Sequence, residues 1–180
     1  TYQVCAPSPN TTVCDTAVLT INTGNEPSFN VTKTASQTPL VVGQSNQYYT
    51  ISIEVVNGPT TAAISFNDSF PTGVVSRDVI TTSAGSLTGC PGVGATSLVG
   101  CSLASGLPTG TLTLTVPVNV GATAVNPSKN TVTLSGGGST KCPLDASCTA
   151  EVTNPVLDAV NDTASKQPNI STSTDVSGND

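Results

Sequence analysis

Residues 111–120 read TLTLTVPVNV, and residues 49–56 read YTISIEVV. In the first stretch Leu112, Leu114, Val116, Val118 and Val120 alternate with Thr111, Thr113, Thr115, Pro117 and Asn119. In the second, Tyr49, Ile51, Ile53 and Val55 alternate with Thr50, Ser52 and Glu54. Successive strand side chains point to opposite faces, so this period of two with one apolar face marks a half-buried antiparallel strand. Pro117 has no N–H to give a ladder, which predicts that its end of the strand faces an open edge or solvent. Residues 16–22 (TAVLTIN), 62–68 (AAISFND), 130–136 (NTVTLSG) and 148–154 (CTAEVTN) alternate in the same way. No segment of helical length carries a 3.6-residue apolar period. The fold class is therefore all-β, an antiparallel β-sandwich.

Composition agrees with that class. The chain has 180 residues, enough for one large or two small domains. Aromatic residues are 3% and Met, Trp and His are absent, so the core must come from Val, Ile, Leu and Ala. Such a thin core suits two interdigitating sheet faces. Gly (16) and Pro (13) imply many turns. The net charge is −6, and Lys33, Arg77, Lys129, Lys141 and Lys166 are scattered. Nucleic acid and anionic membrane surfaces need a basic footprint, so neither is an expected partner. No apolar run reaches transmembrane length, so no membrane insertion is expected. Without His there is no Ser-His or Cys-His nucleophile pair and no histidine base, and no enzymatic activity is expected. The sequence shows neither a signal peptide nor an initiator Met, as a processed mature protein or a piece of one would.

The six cysteines fall in local pairs: Cys5 and Cys14, Cys90 and Cys101, Cys142 and Cys148. Six cysteines allow 15 connectivities, and the sequence alone does not choose among them. Each nearest-neighbour pair brackets a Pro/Gly/Asn-rich stretch, so each could staple a hairpin or loop, worth about 2–3 kcal/mol. A metal reading lacks His and any Cys-x-x-Cys. Disulfides place the chain in an oxidising compartment, outside the cytoplasm.

Punctuation divides the chain into three pieces. NTGNEPS (22–28) and NPVLDAVND (154–162) read as linkers. Residues 1–25 then form a two-strand hairpin, 26–156 a sandwich of about seven or eight strands, and 157–180 the opening strands of an incomplete second β-domain. Two strands alone in water are marginal, so the hairpin needs a partner. SGGGSTK (135–141) resembles a phosphate loop but fails the pattern, because Lys141 follows Thr140 and no Ser or Thr follows it. It reads as a flexible hairpin arm.

Oxygen-rich residues cluster near the second linker and the end of the sequence. Asp158, Asn161, Asp162, Asn179 and Asp180 offer hard ligands of the kind calcium takes, without EF-hand spacing. The plain reading is solvated turn carboxylates, and no other cofactor is expected. Asn-x-Ser/Thr sequons occur at Asn10, Asn30, Asn67, Asn161 and Asn169.

Residues 28–156 resemble the Ig-like repeat of bacterial and archaeal surface proteins called "domain of unknown function eleven". The resemblance is carried in order by FNVTKTAS, YYTISIEVVNGPTTA, ISFNDSFPTGV, CSLASGLPTGTLTLTVPVNV, NPSKNTVTLSGGG and CPLDASCTAEVTNPV. The flanks look like parts of a bacterial Ig/cadherin-like adhesin repeat, its ending at residues 1–22 and its opening at 157–180. This implies a non-enzymatic extracellular structural protein at the cell surface, either one period of a longer tandem chain or a fibre subunit. In the second case Ile170, Thr172, Thr174 and Val176 lie on a strand given head-to-tail to the next copy. The alternative is an adhesin module binding a carbohydrate or protein through loops such as 85–107, and exposure of Tyr48 would favour it. The resemblance also implies a candidate Lys–Asn isopeptide bond. The matching positions are Lys33 and Asn130, with Asp68 or Glu54 as the acid. Otherwise Lys33 is a solvated strand residue and Asp68 a turn cap.

Overall fold

The structure, a computed structural model, describes residues 2–9, 12–18 and 26–158. Its strands in chain order are β1 (Tyr2–Cys5), β2 (Cys14–Ala17), β3 (Ser28–Ala35), β4 (Leu40–Val41), β5 (Gln47–Val56), β6 (Ile64–Ser69) and β7 (Val74–Ser76). There follow β8 (Thr81–Thr82), β9 (Leu87–Thr88), β10 (Ser102–Leu103), β11 (Gly110–Val120), β12 (Ser128–Gly136), β13 (Thr149–Asn154) and β14 (Val156–Leu157). A 3₁₀ turn, Ala146–Cys148, precedes β13.

Two sheets make the sandwich. One runs β13-β12-β6-β10-β9. The other runs β3-β5-β11, with the short strands β7 and β8 sharing the far edge of β11. All these pairings are antiparallel, while β14 lies parallel to β4. Alternation dictates the core. From one sheet Ile51, Ile53, Leu114 and Val116 are buried; from the other, Ile64, Leu103, Val132 and Leu134. β1 and β2 form a separate ladder, Tyr2 opposite Ala17 and Cys5 opposite Cys14.

Pro117 departs from expectation. β11 is an inner strand, paired with β5 along one side from Gly110 to Val118. The Pro117 carbonyl accepts from Arg77 N–H, so its nitrogen also points to the β7/β8 side. There it faces the break between the two short strands, Thr81 opposite Thr115 and Ser76 opposite Val118. The missing donor is tolerated because the sheet is interrupted there, while the β5 ladder continues past it.

The glycine run is likewise no flexible arm. Gly136, Gly137 and Gly138 all have positive φ. A Cβ on Gly137 would lie 2.3 Å from the Phe29 ring. Gly137 N–H donates to Ala63 O, and its carbonyl accepts from Thr61 N–H. The run is a tight turn closed over the core.

Register also locates the two ends of the sandwich. Thr140 N–H donates to Glu26 Oε1 beside that turn, so the chain enters at this pole. It leaves along β14, where Val156 N–H bonds Asn126 Oδ1 and Val42 N–H bonds Leu157 O. β3 runs from the first pole towards the second, so residues 26 and 158 lie at opposite ends. Leu157, expected in the open tail, is still ladder-bonded.

Candidate functional site

The inward rank of β3 is Phe29, Val31, Lys33. That of β6 is Ile64, Phe66, Asp68, and that of β12 is Ser128, Asn130, Val132, Leu134. Period two therefore drives a lysine, an aspartate and an asparagine into the core along with their apolar neighbours. Val132 pairs with Asp68, which sets Asn130 diagonally beside Asp68 on the same face. Lys33 comes from the opposite sheet. Its Nζ lies 2.5 Å from Asp68 Oδ2, with side-chain exposures of 0% and 1%. Lys33 is thus not solvated, and Asp68 is a buried strand residue rather than a turn cap.

Glu54, the other candidate acid, points outward and accepts from Asn30 Nδ2 at 2.8 Å. The acid beside Lys33 is Asp68 alone.

Burial dominates the electrostatics of the pair. It pushes the Lys33 ammonium below the usual lysine range, against the attraction of Asp68. It pushes the Asp68 carboxyl up, against the attraction of Lys33. Both directions favour an uncharged amine facing an uncharged acid.

Asn130 is fully buried, and neither its Oδ1 nor its Nδ2 makes a hydrogen bond of ordinary length, although its side chain stands against Asp68 and Tyr49. Asp68 Oδ1, Ser128 Oγ and the Tyr49 hydroxyl equally lack one. An unsatisfied buried polar group costs about 1–3 kcal/mol. Four neighbouring residues bearing such atoms at the middle of a core ask for a chemical reason. Tyr49 was not legible as a site residue, since it fits its strand as an ordinary rank member. Lys33 and Asn130 were legible in principle, as polar residues at apolar positions of an alternating pattern.

The remaining candidates are placed as follows. The three disulfides join nearest neighbours, Cys5–Cys14, Cys90–Cys101 and Cys142–Cys148. Of the proposed calcium ligands only Asp158 is described; Asn161, Asp162, Asn179 and Asp180 lie outside the described residues, as do Ile170, Thr172, Thr174 and Val176. Among the described residues no three His, Cys, Asp or Glu side chains converge. Tyr48 is 39% exposed, as the adhesin alternative asked, but Phe29, Phe66, Phe70 and Tyr49 are buried. The 85–107 loops border a shallow groove of about 390 Å³ lined by Val79, Ile80, Leu87, Cys90, Pro91 and Val93, with Asp78 its one charged member. Asn30 and Asn67 of the sequons are exposed.

No family model and no curated protein matches the chain. Among solved structures it is similar to one described as "BslA - A bacterial hydrophobin". That match has a TM-score of 0.41 and 13% identity, over 73% of this chain and 99% of the other.

Proposed function

We propose that the chain is a non-enzymatic, extracellular structural protein, a β-sandwich module of a cell-surface fibre or stalk. Its sheets are locked together by an amide bond between Lys33 Nζ and Asn130 Cγ. The observation that carries this reading is the sealed Lys33–Asp68–Asn130 cluster bridging the two sheets.

The chemistry balances within those three residues. The uncharged Lys33 amine attacks Asn130 Cγ. The unpartnered Asp68 Oδ1, carrying the carboxyl proton, donates to the Asn130 carbonyl oxygen as it gains charge. Asp68 Oδ2 takes the proton that Lys33 Nζ must lose. As the carbonyl re-forms, a proton passes to Nδ2, the Cγ–Nδ2 bond breaks and ammonia leaves. Asp68 ends as it began, and no oxidant or cofactor is consumed. Water is kept from the cluster by Ile51, Phe66 and Val132, all buried.

Three disulfides support an oxidising, extracellular setting. Two features support head-to-tail assembly: the entry and exit of the sandwich at opposite poles, and the hairpin β1–β2. Gln3, Val4 and Cys5 on one strand, and Cys14, Asp15 and Thr16 on the other, are all exposed. Two strands in isolation are marginal. Addition of residues 170–176 of another copy would extend that ladder.

One preparation tests both parts. Intact-mass spectrometry of the folded chain is expected to show the loss of one ammonia beyond the hydrogens lost to three disulfides, and Asp68→Ala is expected to retain the ammonia. Negative-stain microscopy is expected to show fibres from the full chain and none from a chain ending at Asp158. A folded wild-type chain at full mass removes the amide bond; monodisperse particles at high concentration remove the assembly.

A further inference from the structure

Tyr49 stands where the proposed reaction has an unfilled role. The oxygen of Asn130 must hold charge while Lys33 Nζ is bonded to Cγ, and a carbonyl oxygen has room for two donors. Asp68 supplies one. Its other oxygen is already engaged by Lys33, at 2.5 Å. Preorganised donors aimed at such an oxygen are usually the largest single contribution to acyl-transfer rates.

Two further hydroxyls lie in the pocket without a hydrogen bond of ordinary length, those of Tyr49 and Ser128, with Tyr49 set against Ser128 and Asn130. Tyr49 is the better placed. It sits on β5 opposite Ala35, diagonal to Lys33 on the shared inward face. Lys33 Nζ lies 5.2 Å from its ring centroid. Tyr49 thus packs against the nucleophile, while its hydroxyl reaches the side of the core where Asn130 and Ser128 stand. Burial holds the phenol above its ordinary pKa, with Ser128, Asp68 and Asn130 as the surrounding influences. It therefore keeps its proton, and stays a hydrogen-bond donor, to higher pH than an ordinary tyrosine.

We infer that Tyr49 is a catalytic residue of amide formation, its hydroxyl donating to Asn130 Oδ1 as that oxygen becomes an oxyanion. This rests on the Lys33–Asn130 reading above. It explains why a large buried phenol is kept among Ile51, Ile53 and Val55 on the inward face of β5, with its hydroxyl turned to Ser128 and Asn130. Donors of this kind are often misaligned before the reaction and tighten only as charge develops.

The test is a cell-free translation time course of the full chain, quenched into denaturant and read by intact mass for loss of ammonia. Tyr49→Phe keeps the ring and its packing. It is expected to form the bond about 10²-fold more slowly than wild type. Tyr48→Phe, on the outer face of the same strand, is expected to keep pace with wild type. Replacing tyrosine throughout by 3-fluorotyrosine in a Tyr48→Phe background leaves the fold unchanged but strengthens the donor, and is expected to speed the reaction. This arm stays informative if Tyr49→Phe folds poorly. Bond formation in Tyr49→Phe at the wild-type rate, or indifference to fluorination, overturns the role of Tyr49 and leaves the amide bond standing. A wild-type chain that never loses ammonia overturns both, and is told apart by that control alone.

Discussion

Lys33 and Asp68 show how a strand's alternation can override a residue's preference for water. An isolated ionised pair at 0% and 1% exposure would lose several kcal/mol of hydration per ion. Burial opposes that charge on both sides, pushing the Lys33 ammonium down and the Asp68 carboxyl up, each towards its uncharged form. This gives an unusual pH dependence in Asn130→Ala, which cannot form the amide. The raised Asp68 keeps its proton to higher pH than in the unfolded chain, so its contribution is lost as pH rises through the folded value. The lowered Lys33 sheds its proton earlier than in the unfolded chain, so its contribution grows as pH rises towards the unfolded value. The uncharged pair holds as many protons as the unfolded carboxylate and ammonium together, so the two slopes cancel where both windows overlap. Asn130→Ala is expected to show level stability where the raised Asp68 and lowered Lys33 windows overlap, and to lose it below and above that overlap. Urea midpoints across pH measure this. A steady slope through neutrality would mean that one member of the pair stays charged in the fold.

At the scale of elements, the long strands were legible because each carries one apolar face. Residues 49–56, 111–120, 130–136 and 148–154 fall on β5, β11, β12 and β13 almost without shift. The two-residue strands β4, β8, β9, β10 and β14 were not legible, since two residues show no period. Their pairing is decided by neighbours far away in the sequence. Pro117 was misread for the same reason: its tolerance depends on a gap between β7 and β8 that no local pattern announces. The cluster was half legible. Lys33 and Asn130 break their strands' apolar ranks, whereas the choice of Asp68 over Glu54 needed the face each strand turns inward. The glycine run shows the limit of composition. Three glycines read as flexibility, yet Gly137 has φ +68 and no room for a Cβ beside Phe29. Gly137→Ala must shift a fully buried ring and strain the turn. It is expected to cost about 1–3 kcal/mol, seen as a lower urea midpoint with unchanged slope. A substitution without effect would mean that the turn can reopen, as a loose arm would.

For the whole molecule, the position of the proposed cross-link would matter more than its strength. In the proposed head-to-tail fibre, load would enter at residue 26 and leave at residue 158, at opposite poles. β3 is an edge strand held by β5 alone, so shear would first strip it from that ladder. An amide at Lys33 passes the load directly to Asn130 on β12, which lies between β13 and β6. The chain between the two residues, including β5, β6 and β11, then carries none of it. In the unfolded state the same bond closes a loop of roughly 100 residues, worth about 5 kcal/mol of chain entropy. The expected consequence is visible in single-molecule pulling with handles at residues 26 and 158. Wild type is expected to release only the segments outside the bond. Asn130→Ala is expected to release in addition the hidden stretch, roughly 100 residues and about 350 Å of extended chain, less the short loop closed by Cys90–Cys101. Equal extensions for the two proteins would mean that no covalent bridge spans the sheets, and the strength of the module would then rest on its ladders and disulfides alone.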